Sequence, residues 1–162
     1  MLLSIEIIAF LFTMFAYIQS NRTKFLIVNS FAILFVGLSF YFKEGYVGAY
    51  VELMMLLVHL VALLISENLS NKIKMFAPLL AFILVYTIND SSNPIYMAIA
   101  VSFFVLGVYQ YNMIVNKIFF SIGLIFLSFY SFILGTYVVF TANIVGIVIL
   151  MYSIYKLKSI KK

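Results

Sequence analysis

The sequence predicts an all-α polytopic membrane protein, with seven transmembrane helices forming two parallel three-helix repeats joined by a linker helix. Three observations lead there. The first is composition: the 162 residues are 66% hydrophobic and 9% charged, where a soluble domain carries about 25% charged residues. A soluble fold of this size has too little interior to hide so much apolar surface. Lipid also leaves no partner for free backbone groups, so only helices or closed barrels span it. A barrel strand alternates apolar and polar residues, whereas here the apolar runs are continuous, as in 31–42 and 50–65. The second observation is the spacing of polar breaks, and the third is the alternation of positive charge across them.

Crossing the hydrocarbon takes about 20 apolar residues. The segments that meet this need run over 2–19, 25–42, 46–66, 75–89, 94–111, 117–134 and 136–155. The first has no basic leader and no small-residue cleavage site before Asn21, so it reads as a permanent helix rather than a signal peptide. Ser20–Lys24 separates it from the second, and Lys43-Glu44-Gly45 separates the second from the third. Glu67–Lys74 precedes the short fourth segment, which has Pro78 near its start. Asp90–Asn93 follows it, with Asn93-Pro94 reading as an N-cap and a proline in the first helical position. Asn112–Asn116 and Gly135-Thr136 set off the last two. The whole chain, 1–162, is one transmembrane domain, divided into a first repeat (2–66), a linker helix (75–89), a second repeat (94–155) and a basic tail (156–162).

Cytoplasmic loops collect Lys and Arg. Breaks one, three and five and the tail hold Arg22, Lys24, Lys72, Lys74, Lys117, Lys156, Lys158, Lys161 and Lys162, while breaks two, four and six hold only Lys43. Nine of the ten positive residues thus fall on one side of a seven-span chain. The N-terminus is expected outside and the C-terminus in the cytoplasm. The basic tail reads as a segment that touches anionic lipid, so the lipid bilayer is the expected partner and nucleic acid is not.

The two halves echo one another. Gln19-x-Asn21 recurs as Gln110-x-Asn112, Leu38-Ser39-Phe40-Tyr41 recurs as Leu127-Ser128-Phe129-Tyr130, and Gly45-Tyr46 recurs as Gly135-x-Tyr137. The order of these matches aligns segments one to three with five to seven. A unit with an odd number of spans needs one extra helix before a second copy can lie parallel to the first. The fourth segment supplies it, and parallel repeats of this kind occur in SWEET transporters.

The stretch from Asn21-Arg22 to Ser66, above all Phe31–Tyr46 and the long apolar helix after it, resembles the YgjV-type family of bacterial inner membrane proteins. So does Phe120–Lys158, with its Gly135-Thr136-Tyr137 turn and a last helix containing Asn143 and Gly146. The resemblance spans nearly the whole chain. It implies the bacterial cytoplasmic (inner) membrane and a SWEET-like or PQ-loop-like helix arrangement. The chain departs from the pattern in having no tryptophan, and His59 stands where the family has a conspicuous Arg.

An ionisable residue inside a span is a functional candidate because charge is costly there. Glu6 is close enough to the end of its helix to reach water. Glu52 lies about 9 Å inside the third helix at 1.5 Å per residue, and His59 sits two turns further along the same face. Glu52 aligns with Asn143 in the repeat. Asn29, Ser39 and Ser128 add donors to a candidate cavity or substrate site, for which the plain alternative is hydrogen bonding between helices. Tyrosines near span ends, such as Tyr46, Tyr96, Tyr111, Tyr137 and Tyr155, fit an interfacial belt.

No catalytic residue, metal site or cofactor is expected. There is no cysteine and one histidine, and no G-x-S-x-G or H-E-x-x-H run is present. The chain is read as a non-enzyme. Its expected function is transport of a small sugar- or nucleoside-like solute through a site between the repeats. The alternative is a non-transporting interaction, immunity or assembly protein. The two are separated by a polar mid-membrane cavity, which only a transporter needs. A homo-oligomer is compatible with either.

Overall fold

The computed structural model describes residues 2–90 and 93–160. Ser91 and Ser92 of the fourth break, and Lys161 and Lys162 of the tail, lie outside the described residues. Eight helices form among those described: α1 (Leu2–Ile18), α2 (Arg22–Phe42), α3 (Tyr46–Leu64), α4 (Glu67–Ile73), α5 (Ala77–Ile88), α6 (Pro94–Val108), α7 (Met113–Ile133) and α8 (Tyr137–Ile160). Four of them, α2, α3, α7 and α8, are long and apolar enough to cross a bilayer. The pair α4 and α5 becomes a fifth span if its 47° bend is counted within one crossing, and α1 and α6 are shorter apolar helices. The polar stretch expected as a break before the fourth segment is therefore helical itself.

The helix ends follow from local chemistry. Asn21 caps α2 by accepting from the Lys24 amide, and Asn112 caps α7 by accepting from the Ile114 and Val115 amides. Because Asn112 caps, α7 begins at Met113, four residues before the boundary expected from polarity. Pro94 does open α6, yet the Asn93 side chain makes no capping bond.

At the far ends of α2 and α7 the chain turns in the same way. In α2 the Gly45 amide donates to Phe40 O at 2.9 Å and the Glu44 amide to Tyr41 O at 3.1 Å. In α7 the Thr136 amide donates to Ser131 O at 2.9 Å and the Gly135 amide to Phe132 O at 3.0 Å. These paired bonds are the Schellman closure, which requires a left-handed residue just past the helix. Glu44 (φ 59°) and Gly135 (φ 70°) fill that position.

The chain divides into two compact units, 1–65 and 66–162. In the first, α2 packs on both α1 and α3. Phe12 stacks on Phe31 and Phe35 with ring centroids 5.7 and 5.8 Å apart. Phe40 covers Gly48 so closely that a Cβ there would lie 2.8 Å from the ring. In the second, α7 packs on both α6 and α8, and α5 packs on α6. Phe103 stacks on Phe119 and Phe126, and a Cβ at Gly123 would lie 2.5 Å from the Phe104 ring. Small residues let helices approach where the hydrophobic effect gives no help, since lipid tails are as apolar as leucine. The outward faces are predominantly apolar, with Leu64 and Val138 exposed by 87% and 85%. Water would not tolerate that surface, and lipid contacts it.

Candidate functional site

Two successive helices of the first unit hold most of the candidate residues. Glu52 and His59 are seven apart, so they point the same way from α3. Both face α2. A Cβ built on Gly37 would come within 3.2 Å of the Glu52 Cβ, and the Asn29 amide lies 2.9 Å from His59 Nε2. These α2 residues are eight apart and run in the opposite order, as antiparallel packing demands.

His59 is completely buried. Its Nδ1 is 2.8 Å from the Met55 carbonyl, which only accepts, so Nδ1 carries the proton and Nε2 accepts from Asn29 Nδ2. Both ring nitrogens are thus engaged in a neutral imidazole that ties α3 to α2. Arg22 strengthens the same junction by donating from Nη2 to Ala62 O at 3.0 Å.

Glu52 is placed differently. It is half-buried and makes no hydrogen bond or ion pair among the described residues. It lines an open groove of about 210 Å³ with Ile33, Leu34, Gly37, Ala49 and Leu56, and Tyr41 stands at the helix end. The groove exists because Gly37 has no side chain to fill it.

Ser39 does not join Glu52. Its hydroxyl donates to Glu6 Oε1 at 3.0 Å, and Lys43 forms an ion pair with the same carboxylate. Glu6 therefore clamps α1 to α2 near one end of the helices instead of merely reaching water. In the second unit Ser128 is buried, but its hydroxyl returns to Leu124 O in its own helix. Asn143 is 8% exposed, and its Nδ2 has no hydrogen-bond partner among the described residues.

Sequence reasoning missed several buried polar groups. Lys117, counted as a loop charge, lies four residues inside α7 and is 0% exposed. Neighbouring Asn116 donates to Gly107 O at 2.7 Å. Ser70 donates to Tyr109 O at 2.8 Å, and Asn89 reaches the Tyr130 hydroxyl at 3.3 Å. Each lies at or beside a polar break, where a side chain is read as solvated. Only the helix packed opposite shows otherwise.

Among the described residues no group of three His, Cys, Asp or Glu side chains is placed to hold a metal ion. The family model described as bacterial inner membrane protein, Imp-YgjV, matches residues 3–161. The chain belongs to this family. The membership accounts for the apolar outer faces and places the protein in the bacterial inner membrane. No curated protein matches the chain, and no solved structure does.

Proposed function

We propose that this YgjV-family protein is a small-solute transporter with seven spans, in which α1–α3 and α6–α8 are parallel repeats and α4 with α5 is the linker. The register of the helix ends supports the repeat. The α2 and α7 starts, their ends, and the α3 and α8 starts each differ by 91 positions: 22 and 113, 42 and 133, 46 and 137. In that register the match between Leu38 and Leu127, at 89, is two residues out, and Gly135 pairs with Glu44 instead of Gly45. Many positions buried in the first unit are buried in the second, as with Ala9 and Ala100, Leu26 and Lys117, and His59 and Leu150, whereas Ala98 and Val101 are buried and their counterparts Ile7 and Phe10 are exposed.

The observation that carries transport is the pair Glu52 and Asn143, also 91 apart. Each is six residues inside a spanning helix. The buried Asn143 Nδ2 has no hydrogen-bond partner among the described residues, and the half-buried Glu52 carboxyl holds the matching position in the repeat register. An unmade hydrogen bond costs about 1–3 kcal/mol and more in hydrocarbon. A solute or water that uses these groups offsets that cost. In this reading the N-terminus is outside, the tail is cytoplasmic, and the protein catalyses no reaction.

The test is solute uptake into proteoliposomes holding the full chain. Glu52→Gln and Asn143→Leu are each expected to lower uptake at least tenfold while insertion and elution volume stay unchanged. Uptake equal to that of the wild type in both variants would remove the pair from the mechanism. A protein that moves no member of a panel of sugars, nucleosides and amines above empty vesicles would refute the transport reading.

A further inference from the structure

The groove over Glu52 has a chemistry that narrows its ligand. Its volume of about 210 Å³ is larger than an enclosed apolar cavity of roughly 150 Å³ that binds benzene, although this groove is open on one side. It has room for an aryl or short alkyl body with a small polar arm. Apart from Glu52 and Tyr41, every lining residue is aliphatic or glycine. A sugar brings many hydroxyls, each needing a partner when it leaves water, and this lining supplies almost none. An anion would meet a carboxylate. A cation with an apolar body satisfies both features at once, because its charge meets Glu52 and its body covers Ile33, Leu34 and Leu56.

We propose that the α2–α3 groove is a binding site for a lipophilic amine, with Glu52 as the anchoring group. The amine enters along the exposed faces of Leu34, Leu38 and Leu53, which border the groove. Either an ammonium meets the carboxylate, or a neutral amine takes the proton of a neutral carboxyl. Both routes end in the same neutral ion pair, with the proton on nitrogen. Pairing matters here because an isolated charge in hydrocarbon is expensive. Gly37 keeps the floor open, and the Asn29–His59 bond holds α3 at the spacing the groove requires. The proposal deepens the transport reading by naming a substrate class, and it rests on that reading only for movement across the bilayer.

Binding is measured with radiolabelled 2-phenylethylamine on the full chain in nanodiscs of zwitterionic lipid, with empty nanodiscs subtracted. The isosteric alcohol 2-phenylethanol serves as the uncharged competitor. Saturable amine binding is expected, with the alcohol competing at least tenfold more weakly. Glu52→Gln is expected to weaken amine binding at least tenfold. Ala49→Phe, which fills the groove from α3 and leaves the carboxyl in place, is expected to abolish it. The proposal fails if wild-type protein shows no saturable amine binding, if the alcohol competes equally, or if amine affinity survives both substitutions. The wild-type comparison of amine and alcohol decides the matter even if a variant does not fold. Amine binding without uptake in proteoliposomes would overturn the transport reading and leave the site standing. Uptake of another solute without amine binding would do the reverse.

Discussion

Replacing Glu44 with glycine should stabilise the protein. Glu44 occupies the left-handed position that closes α2, at φ 59°, while Gly135 occupies the equivalent position after α7 at φ 70°. A side chain in that conformation crowds Cβ against the following carbonyl, at a cost of about 1–2 kcal/mol, and glycine escapes it. Glycine also loses more freedom on folding, which returns roughly 0.5–1 kcal/mol. The net gain expected for Glu44→Gly is therefore about 0.5–1 kcal/mol. On the scale for soluble domains of 150–250 residues, 1 kcal/mol shifts Tm by about 2–4 °C, so a rise of about 1–4 °C is expected. Gly135→Glu should lower Tm by a similar amount. That loss would be conformational and not a clash, since a Cβ at Gly135 meets nothing within 4 Å. The double variant should return close to wild type, because the two turns share no hydrogen-bond partner and substitutions without shared partners add. The assay is thermal unfolding of purified protein in one detergent, followed by circular dichroism. A fall in Tm with Glu44→Gly, or no change with Gly135→Glu, would refute the account of these turns.

Other substitutions test the packing and the topology. His59→Leu leaves the buried Asn29 amide without its acceptor and should cost about 1–3 kcal/mol. Pairing it with Asn29→Leu should recover part of the loss, and a double-mutant cycle showing no coupling would dissociate the two residues. Gly123→Ala drives a Cβ to 2.5 Å from the Phe104 ring and 3.0 Å from the Ala100 carbonyl. It should destabilise by about 1–3 kcal/mol, and unchanged unfolding would mean that α6 and α7 are not so closely packed. Asn71→Cys and Asp90→Cys introduce single thiols at exposed positions of a cysteine-free chain. A membrane-impermeant reagent should label them from opposite faces of the membrane. Labelling from one face would exclude a crossing between them.

The sequence by itself determined that this is a helical membrane protein, because continuous apolar runs with so little charge have no other physical resolution. It also located the helices α1, α2, α3, α5 and α6 to within three residues at either end, since asparagine, proline and glycine mark where backbone groups lose helical partners. The start of α7 was missed because Asn112 acts through its capping bond, which outweighs the polarity of Asn116 and Lys117. Helical spacing placed Glu52 and His59 on one face, and the structure agrees. What faced them depended on the rotation of α2, which no local pattern specifies. Tertiary packing alone decided that His59 is saturated by Asn29 and Met55, that Ser39 serves Glu6, and that Lys117 is buried. It alone left Glu52 beside the gap over Gly37. A side chain's type records what it can bond, whereas its use depends on which atoms a second helix brings within about 3 Å.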